Sequence, residues 1–523
     1  MSKKTILQKI EKKAKQHIYK WHRFFAYITF IPVVLWCLSG IMHPFMAHFF
    51  KPEIKNEFIT PKPVNFSQVN FSLQQVLAKE HMQTFKNFRY VEMKNQWFYQ
   101  IKKVDNTLAY YNVTTGAELK NGDMIYAHYL ARFFLDDAQS AILKTDYLTQ
   151  FDNQYKYVNR YLPVYKVCFD RNDKMQVYVE TASSKLATFN PLSRQVFIWF
   201  FDTFHNWSFL DAIATPEIRI VVMIGLLGSI ILSALSGVFI YGFFWKVFRK
   251  SRINSANKTR LQHRKLGLWF SVLSIGFAFS GALHLTKKWN PKPIQDMVYQ
   301  PILEADKLKV ASNKLDVNEV DFQNASLIQW QDTLFYRCEL KPVLQPEKVI
   351  DAKENKWKKN SAPTADVVYI NATTNKVAKD LEFKYATFIA QYFDGVVNTG
   401  ASCCEGEGTS STTCSIKKAS LKETAIVTEF DSREYGFVNK RLPVVKLAYA
   451  TPENTTYFVE TATSRIASVV GKSDRVEGYS FAIFHKFLWM DWAGKPIRDF
   501  VMTCSAIALF ILAILGLRLL FKR

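Results

Sequence analysis

Trp21-His22-Arg23, followed by an apolar run that ends Ser39-Gly40-Ile41-Met42-His43, recurs in the second half of the chain as Gln262-His263-Arg264 and Ser280-Gly281-Ala282-Leu283-His284. In both copies two histidines stand 21 residues apart. At 1.5 Å per residue a helix separates them by about 31 Å, the thickness of a bilayer's hydrocarbon core. Each copy therefore reads as a helix that crosses a membrane with an imidazole near either face. Two helices matched in five positions are not a coincidence of composition.

Working outward, Phe24–Met42, Ile220–Trp245, Leu266–Leu285 and Phe500–Leu517 contain no Lys, Arg, Asp or Glu. Each run has the length and composition of a spanning helix. The first has a long basic lead and no A-x-A site after it, so it reads as a retained anchor and not as a signal peptide. The net charge of +23 resembles a nucleic-acid signal until it is located. Residues 1–23 carry eight Lys/Arg and one Glu, residues 246–265 carry eight Lys/Arg and no acid, and Arg518, Lys522 and Arg523 close the chain. By the positive-inside rule those segments face the cytoplasm, and the nearly charge-balanced remainder lies outside. No nucleic-acid partner is expected; the lipid bilayer is. The expected plan is a basic N-terminus (1–23), spans at 24–46, 216–245, 266–286 and 496–518, a basic loop (246–265), a short tail (519–523), and external domains at 47–215 and 287–495.

The repetition continues outside the membrane. Tyr157-Val158-Asn159-Arg160-Tyr161-Leu162-Pro163-Val164 is echoed by Phe437-Val438-Asn439-Lys440-Arg441-Leu442-Pro443-Val444, and Val179-Glu180-Thr181-Ala182 by Val459-Glu460-Thr461-Ala462. Phe204-His205, Asp211 and Pro216 return as Phe484-His485, Asp491 and Pro496, all at one common offset. The chain reads as two homologous halves, roughly 1–250 and 251–523, in the same membrane orientation and related by a pseudo-two-fold axis along the membrane normal. Alternating apolar runs broken by turn residues mark short strands. Leu108 to Gly116 is a strand ending in a tight turn, and Val367 to Asn375 is its counterpart. Gln75–Lys86, Gly122–Leu135 and Tyr385–Phe393 are expected as short helices. The fold class is thus a membrane protein with four transmembrane α-helices in two homologous halves and two α+β external domains.

The Trp-His-Arg entry to the first helix, the strand–turn pattern, and a His fifteen residues ahead of an outgoing apolar run (His205 before Ile220) resemble PepSY-associated transmembrane proteins. The resemblance covers most of the chain, as two family units. It implies PepSY-like external domains and a place in the bacterial inner membrane. It also implies kinship with haem-containing reductases that act on ferric siderophores in the periplasm. The fused duplication and the longer second external segment depart from the simplest members and leave the substrate open.

The histidines carry the chemistry. An imidazole at membrane depth is costly unless it is paired or ligates something. Six of the ten histidines form repeat-matched pairs, His22/His263, His43/His284 and His205/His485, while His17, His48, His81 and His128 have no counterpart. Gly40 and Gly281 stand three residues before His43 and His284, on the same helical face, where a missing side chain admits a flat macrocycle. A di-iron carboxylate site would need Glu-x-x-His pairs, and zinc a compact cluster with Cys or carboxylate. Two imidazoles facing each other from separate helices suit haem b, two or three per chain. No Cys-x-x-Cys-His occurs, which excludes covalent c-type attachment.

His22 and His263 are expected on one iron near the cytoplasmic face. At the external face either self-paired ligands or cross-paired ones (a helix-end His with an aromatic-belt His) are open, and cross-pairing is the favoured expectation. No nucleotide or flavin fingerprint is present, so electrons must come from quinol or a separate cytoplasmic reductase. Cys37 and Cys504 read as membrane fillers, and Cys403, Cys404 and Cys414 as an exposed loop, with a disulfide to Cys414 ahead of a metal-handling role. The leading expectation is a membrane ferric-chelate reductase. The alternatives are a non-catalytic anchored protein binding a protease or envelope partner, and a permease for iron or haem.

Overall fold

The computed structural model describes residues 3–50, 52–243, 258–289, 291–342, 365–399, 419–430 and 434–521. The Cys403/Cys404/Cys414 loop, Trp245 and most of the 246–265 segment lie outside the described residues. The chain divides into two compact units, one from residues 1–52, 193–291 and 473–523, the other from 53–192 and 292–472.

The first unit is a helix bundle. Its long members are α1 (Lys3–Phe49), α5 (Pro216–Phe243), α6 (Lys258–Trp289) and α9 (Lys495–Phe521). Each contains a segment long and apolar enough to cross a membrane. The helices outrun the apolar stretches at both ends because Lys, Arg and Gln are good helix formers and can continue the turn into a polar phase. No more than 22% of any span is buried inside the protein, so the remaining apolar surface suits contact with lipid. α1 packs against α5 and α9, and α6 packs against the same two, which sets α1 and α6 on one diagonal of the bundle. Two shorter helices, α4 (Leu192–Phe204) and α8 (Lys472–Ser480), run ahead of α5 and α9, and a π turn (Phe481–His485) follows α8. The aromatic segments at Phe197–Trp207 and Phe481–Met490 therefore belong almost wholly to the bundle. The boundaries of the strand-rich region fall near 192 and 472 instead of 215 and 495.

Residues 53–192 and 292–472 fold as one compact unit, where the sequence suggests two separate external domains. Its first part has α2 (Leu73–Lys79), β1 (Thr84–Phe85), the antiparallel sheet β2 (Asn87–Met93), β3 (Gln96–Lys102), β4 (Leu108–Asn112), α3 (Gly122–Leu135), and the antiparallel sheet β5 (Ile142–Leu148), β6 (Val164–Phe169), β7 (Gln176–Glu180), β8 (Lys185–Asn190). Its second part has a similar order, with β9 (Leu303–Glu304), the four-stranded sheet β10 (Phe322–Trp330), β11 (Thr333–Leu340), β12 (Asp366–Asn371), β13 (Val377–Ala378), α7 (Leu381–Thr399), and the sheet β14 (Leu421–Val427), β15 (Val444–Tyr449), β16 (Thr456–Glu460), β17 (Arg465–Val470).

The reasons are local. α3 buries Tyr126, Ala127, Leu130, Ala131 and Phe134 against the second sheet, and α7 buries Tyr385, Ala386, Ile389, Ala390 and Phe393 in the same way. Both are helical stripes at i, i+4 and i+8. The turn after β4 needs Gly116 at φ +63°, and Asn375 takes φ +58° after β12, the left-handed conformation that Gly and Asn tolerate best. The helix expected at Gln75–Lys86 is shorter and starts earlier. Ser72 and Gln75 form a capping box, and His81 at φ +53° turns the chain before Thr84–Phe85 pairs with Leu303–Glu304.

At the seam between the two parts lies a buried ionic cluster. Arg441 donates to Glu180 Oε1 at 3.2 Å and Glu460 Oε2 at 2.9 Å, and Lys185 Nζ reaches Glu460 Oε1 at 2.8 Å. The Arg441 guanidinium also covers the Tyr161 ring at 4.6 Å. Burial alone would pull the Arg441 pKa down, but Glu180 and Glu460 outweigh it and hold it above its ordinary value. Burial would likewise raise Glu460, yet Lys185 and Arg441 keep it well below the carboxylate range. The residues of the two repeated motifs thus meet each other, and sequence repetition becomes a packed interface.

Candidate functional site

A cavity of about 1160 Å³ runs through the helix bundle, and His22, His43, His205, His263, His284 and His485 all line it. It exceeds the roughly 300–1,000 Å³ of an ordinary small-ligand site.

At the end of the bundle that carries the chain termini, His22 of α1 and His263 of α6 face each other across the diagonal, ring centroids 6.4 Å apart. Each imidazole rests on a glycine of a neighbouring helix. A Cβ built on Gly237 of α5 would stand 3.2 Å from His22 Cε1, and one on Gly516 of α9 would stand 3.2 Å from His263 Cε1. His22 Nδ1 lies 3.0 Å from the Ser233 carbonyl and 3.2 Å from Ser236 Oγ. A carbonyl only accepts, so Nδ1 carries the proton and the Nε2 lone pair stays free. His263 Nδ1 is buried and lies against the Leu512 backbone.

The second group sits near the other end. His205 Nδ1 is 3.0 Å from Ser39 Oγ, and that hydroxyl donates to the Leu35 carbonyl at 2.8 Å. With the serine proton so engaged, Nδ1–H of His205 must donate, and Nε2 is again the free nitrogen. The same chain recurs with His485 Nδ1 at 3.4 Å from Ser280 Oγ, which donates to the Phe277 carbonyl at 3.1 Å. Ser39 and Ser280 are buried in the bundle, so these hydroxyls have no water to compete. The His205 and His485 rings stand 6.2 Å apart at 85°. Ser39 and Ser280 each follow the inner histidine of their helix by 17 residues, about 25 Å along the axis. Two separate imidazole pairs therefore occupy two depths.

His43 and His284 are placed differently. His43 packs on Phe201, which also stacks on His205 at 4.4 Å; His284 packs on Phe481, which stacks on His485 at 4.4 Å. Here the halves diverge. His284 Nδ1 bonds Glu477 Oε1 at 2.8 Å, whereas His43 has Phe197, the residue matched to Glu477, at 6.2 Å. The structure thus brings together the His22/His263 and His205/His485 pairs. In each cross-paired set expected from sequence, the two histidines share a phenylalanine neighbour.

Of the unmatched histidines, His48 bonds Asp499 at 3.0 Å, His128 bonds Thr145 at 2.7 Å, and His17 bonds the Lys13 carbonyl at 2.8 Å. No three His, Cys, Asp or Glu side chains converge on one point among the described residues. The imidazoles are presented in twos.

Gly40 and Gly281 line the cavity, and a Cβ on Gly40 would meet no atom within 4 Å, so its missing side chain opens onto empty volume. Gly237 and Gly516 are site residues that the sequence reading overlooks. Their signal is positional, since they stand at nearly matched places towards the ends of α5 and α9. Glu477 has no such signal, because its counterpart is Phe197. Compared with known protein families and with curated proteins, the chain matches none.

Proposed function

We propose that this chain is a haem b-binding membrane protein that carries electrons across a bacterial inner membrane to a ferric chelate such as a ferric siderophore. His22 with His263 would hold one iron, and His205 with His485 another. The observation that carries this reading is the spacing of the two pairs, 6.4 and 6.2 Å between ring centroids, together with the free Nε2 atoms of His22, His205 and His485. Two metal–imidazole bonds of about 2.0–2.1 Å each leave roughly 2.2 Å for the two ring half-widths, so both separations suit one metal between two rings. The bundle-centred cavity, with glycines against both inner rings, leaves room for a large flat group. Haem, when bound, supplies one-electron chemistry with a potential set by its axial ligands.

The chain's own residues do the rest. The Ser233 carbonyl and the Ser39 and Ser280 hydroxyls fix ring orientation and tautomer, the outer-shell control that ligating imidazoles require. Phe201 and Phe481 exclude water from the outer pair. The topology, with termini and the 246–265 loop in the cytoplasm, rests on the distribution of Lys and Arg. Quinol or a cytoplasmic reductase would donate the electrons. The repeated elements support reading the chain as a fused duplication, and the resemblance to PepSY-associated transmembrane proteins supports a periplasmic chelate as acceptor.

The test is the visible spectrum of detergent-purified protein. Soret and α bands that sharpen with dithionite, a b-type pyridine haemochrome, and reoxidation by a ferric chelate are the expected results. A colourless preparation from haem-replete cells would refute the proposal.

A further inference from the structure

The cavity has a charge pattern that the histidines do not explain. Among the described residues five cations line it, Arg23, Arg260 and Arg264 at one end and Lys288 and Lys486 at the other, and not one Asp or Glu does. The positions follow the imidazoles. Arg260 stands one turn before His263, Lys288 one turn beyond His284 on the same helical face, and Lys486 directly follows His485. Lys486 Nζ sits 5.3 Å over the Phe481 ring, the ring that stacks on His485. Lys288 and Arg260 have no hydrogen-bond or ion-pair partner among the described residues.

Asp202 and Glu477 act on Lys288 through space, and Glu477 on Lys486, but neither carboxylate lines the cavity. Glu477 takes His284, Asp474 takes Lys287, and Asp499 takes His48 and Lys495. Arg23, Arg260, Lys288 and Lys486 are exposed at the two ends of the bundle, where an anionic group at the cavity mouth can reach them. Cations at both ends of an acid-free cavity therefore favour an occupant that carries anionic groups.

We infer that the ligand of this cavity is recognised through its acid groups, with Lys288 and Lys486 receiving carboxylates at the outer pair and Arg23 and Arg260 receiving them at the inner pair. This rests on the haem reading and adds to it: the macrocycle's propionates, and not only its iron, select the ligand and set which edge faces each end of the bundle. A phospholipid phosphate lodged in the cavity would present the same anionic chemistry.

Full-length chain made in haem-deficient cells is purified in detergent and titrated with protohaem and with its dimethyl ester, which keeps the iron and ring but has no carboxylates. The wild type is expected to bind the ester at least tenfold more weakly. A Lys288→Gln/Lys486→Gln double variant is expected to bind the free acid more weakly at the outer site while keeping its affinity for the ester, which also shows that it is folded. Equal affinity of the wild type for acid and ester overturns the inference and leaves the haem reading intact. Equal affinity with stoichiometric phosphate in an organic extract of the protein assigns the cations to lipid instead. Binding of neither compound overturns the haem reading and this inference with it.

Discussion

His205 and His485, matched positions of the two halves, meet with ring centroids 6.2 Å apart and planes at 85°. Each is held from behind by a buried serine, Ser39 or Ser280, on a different long helix. That relationship favours the self-paired one of the two outer ligand schemes open from sequence. The His205 and His485 rings already stand at a spacing that suits one iron between them, whereas each cross-paired set has a phenylalanine, Phe201 or Phe481, packed on both of its histidines. Two haems per chain are therefore expected. His205→Ala and His485→Ala should each reduce the ratio to one, and His43→Ala should leave it at two. Pyridine haemochrome per mole of protein reads the outcome, and a wild-type ratio of three would restore the cross-paired scheme.

The inner pair makes a sharper prediction through its glycines. A Cβ at Gly237 or Gly516 would stand 3.2 Å from an imidazole carbon, so the ring must yield by a few tenths of an ångström. Gly237→Ala and Gly516→Ala should shift the potential and low-temperature α band of the inner haem while leaving the outer one unchanged. His22→Ala and His263→Ala should each abolish the inner haem outright, and by the same fraction. Redox titration of the four variants separates displacement of a ligand from its loss.

What could be read in advance follows from what repeats. The four spans, the six histidines and the turn at Gly116 and Asn375 were legible because each appears twice, and a second copy removes the ambiguity of a short pattern. Which histidines meet was not legible. His205 and His485 lie on segments whose aromatic content suggests an interfacial belt, and only the packing of α4 and of the π turn against the long helices brings them inside. The joining of the two strand-rich segments was hidden for a related reason. Arg441 takes the place matched to Tyr161, so the ion pairs across the seam depend on a difference between the repeats and not on their likeness.

That seam predicts a stability effect. Arg441→Ala leaves Glu180 and Glu460 buried with less compensation, and loss of one partner from a buried pair costs about 3–5 kcal/mol. Glu460→Gln should cost less, since Glu180 still faces Arg441. The folded pKa of Glu460 lies below its ordinary 4.5. Its contribution is therefore fully present above that value and is lost as pH falls through the folded pKa. Thermal melting of the full chain in detergent should be insensitive to this group at neutral pH and decline in acid, with a smaller decline in Glu460→Gln.

At neutral pH Lys102 contributes with the opposite sign, as a penalty. Burial first, and then repulsion from Arg465 and Lys86 against the partial relief of Glu180, brings its pKa down from 10.5 to about 8. Its Nζ donates to Gln300 Oε1 at 2.9 Å, a neutral partner that does not offset the charge. Below about pH 8 the lysine is protonated in both the folded and unfolded chain, and the folded state bears the whole penalty. Between about 8 and 10.5 the unfolded chain binds more protons, so stability rises with pH, and above 10.5 the penalty is gone. Partial exposure and screening reduce the effect to about 1 kcal/mol, roughly 1–2 °C in melting temperature for a unit of this size. Lys102→Met should therefore melt higher than wild type at neutral pH, and the gap should close on titrating to pH 10.5. A gap that stays constant across that window would mean that Lys102 is not charged inside the folded protein.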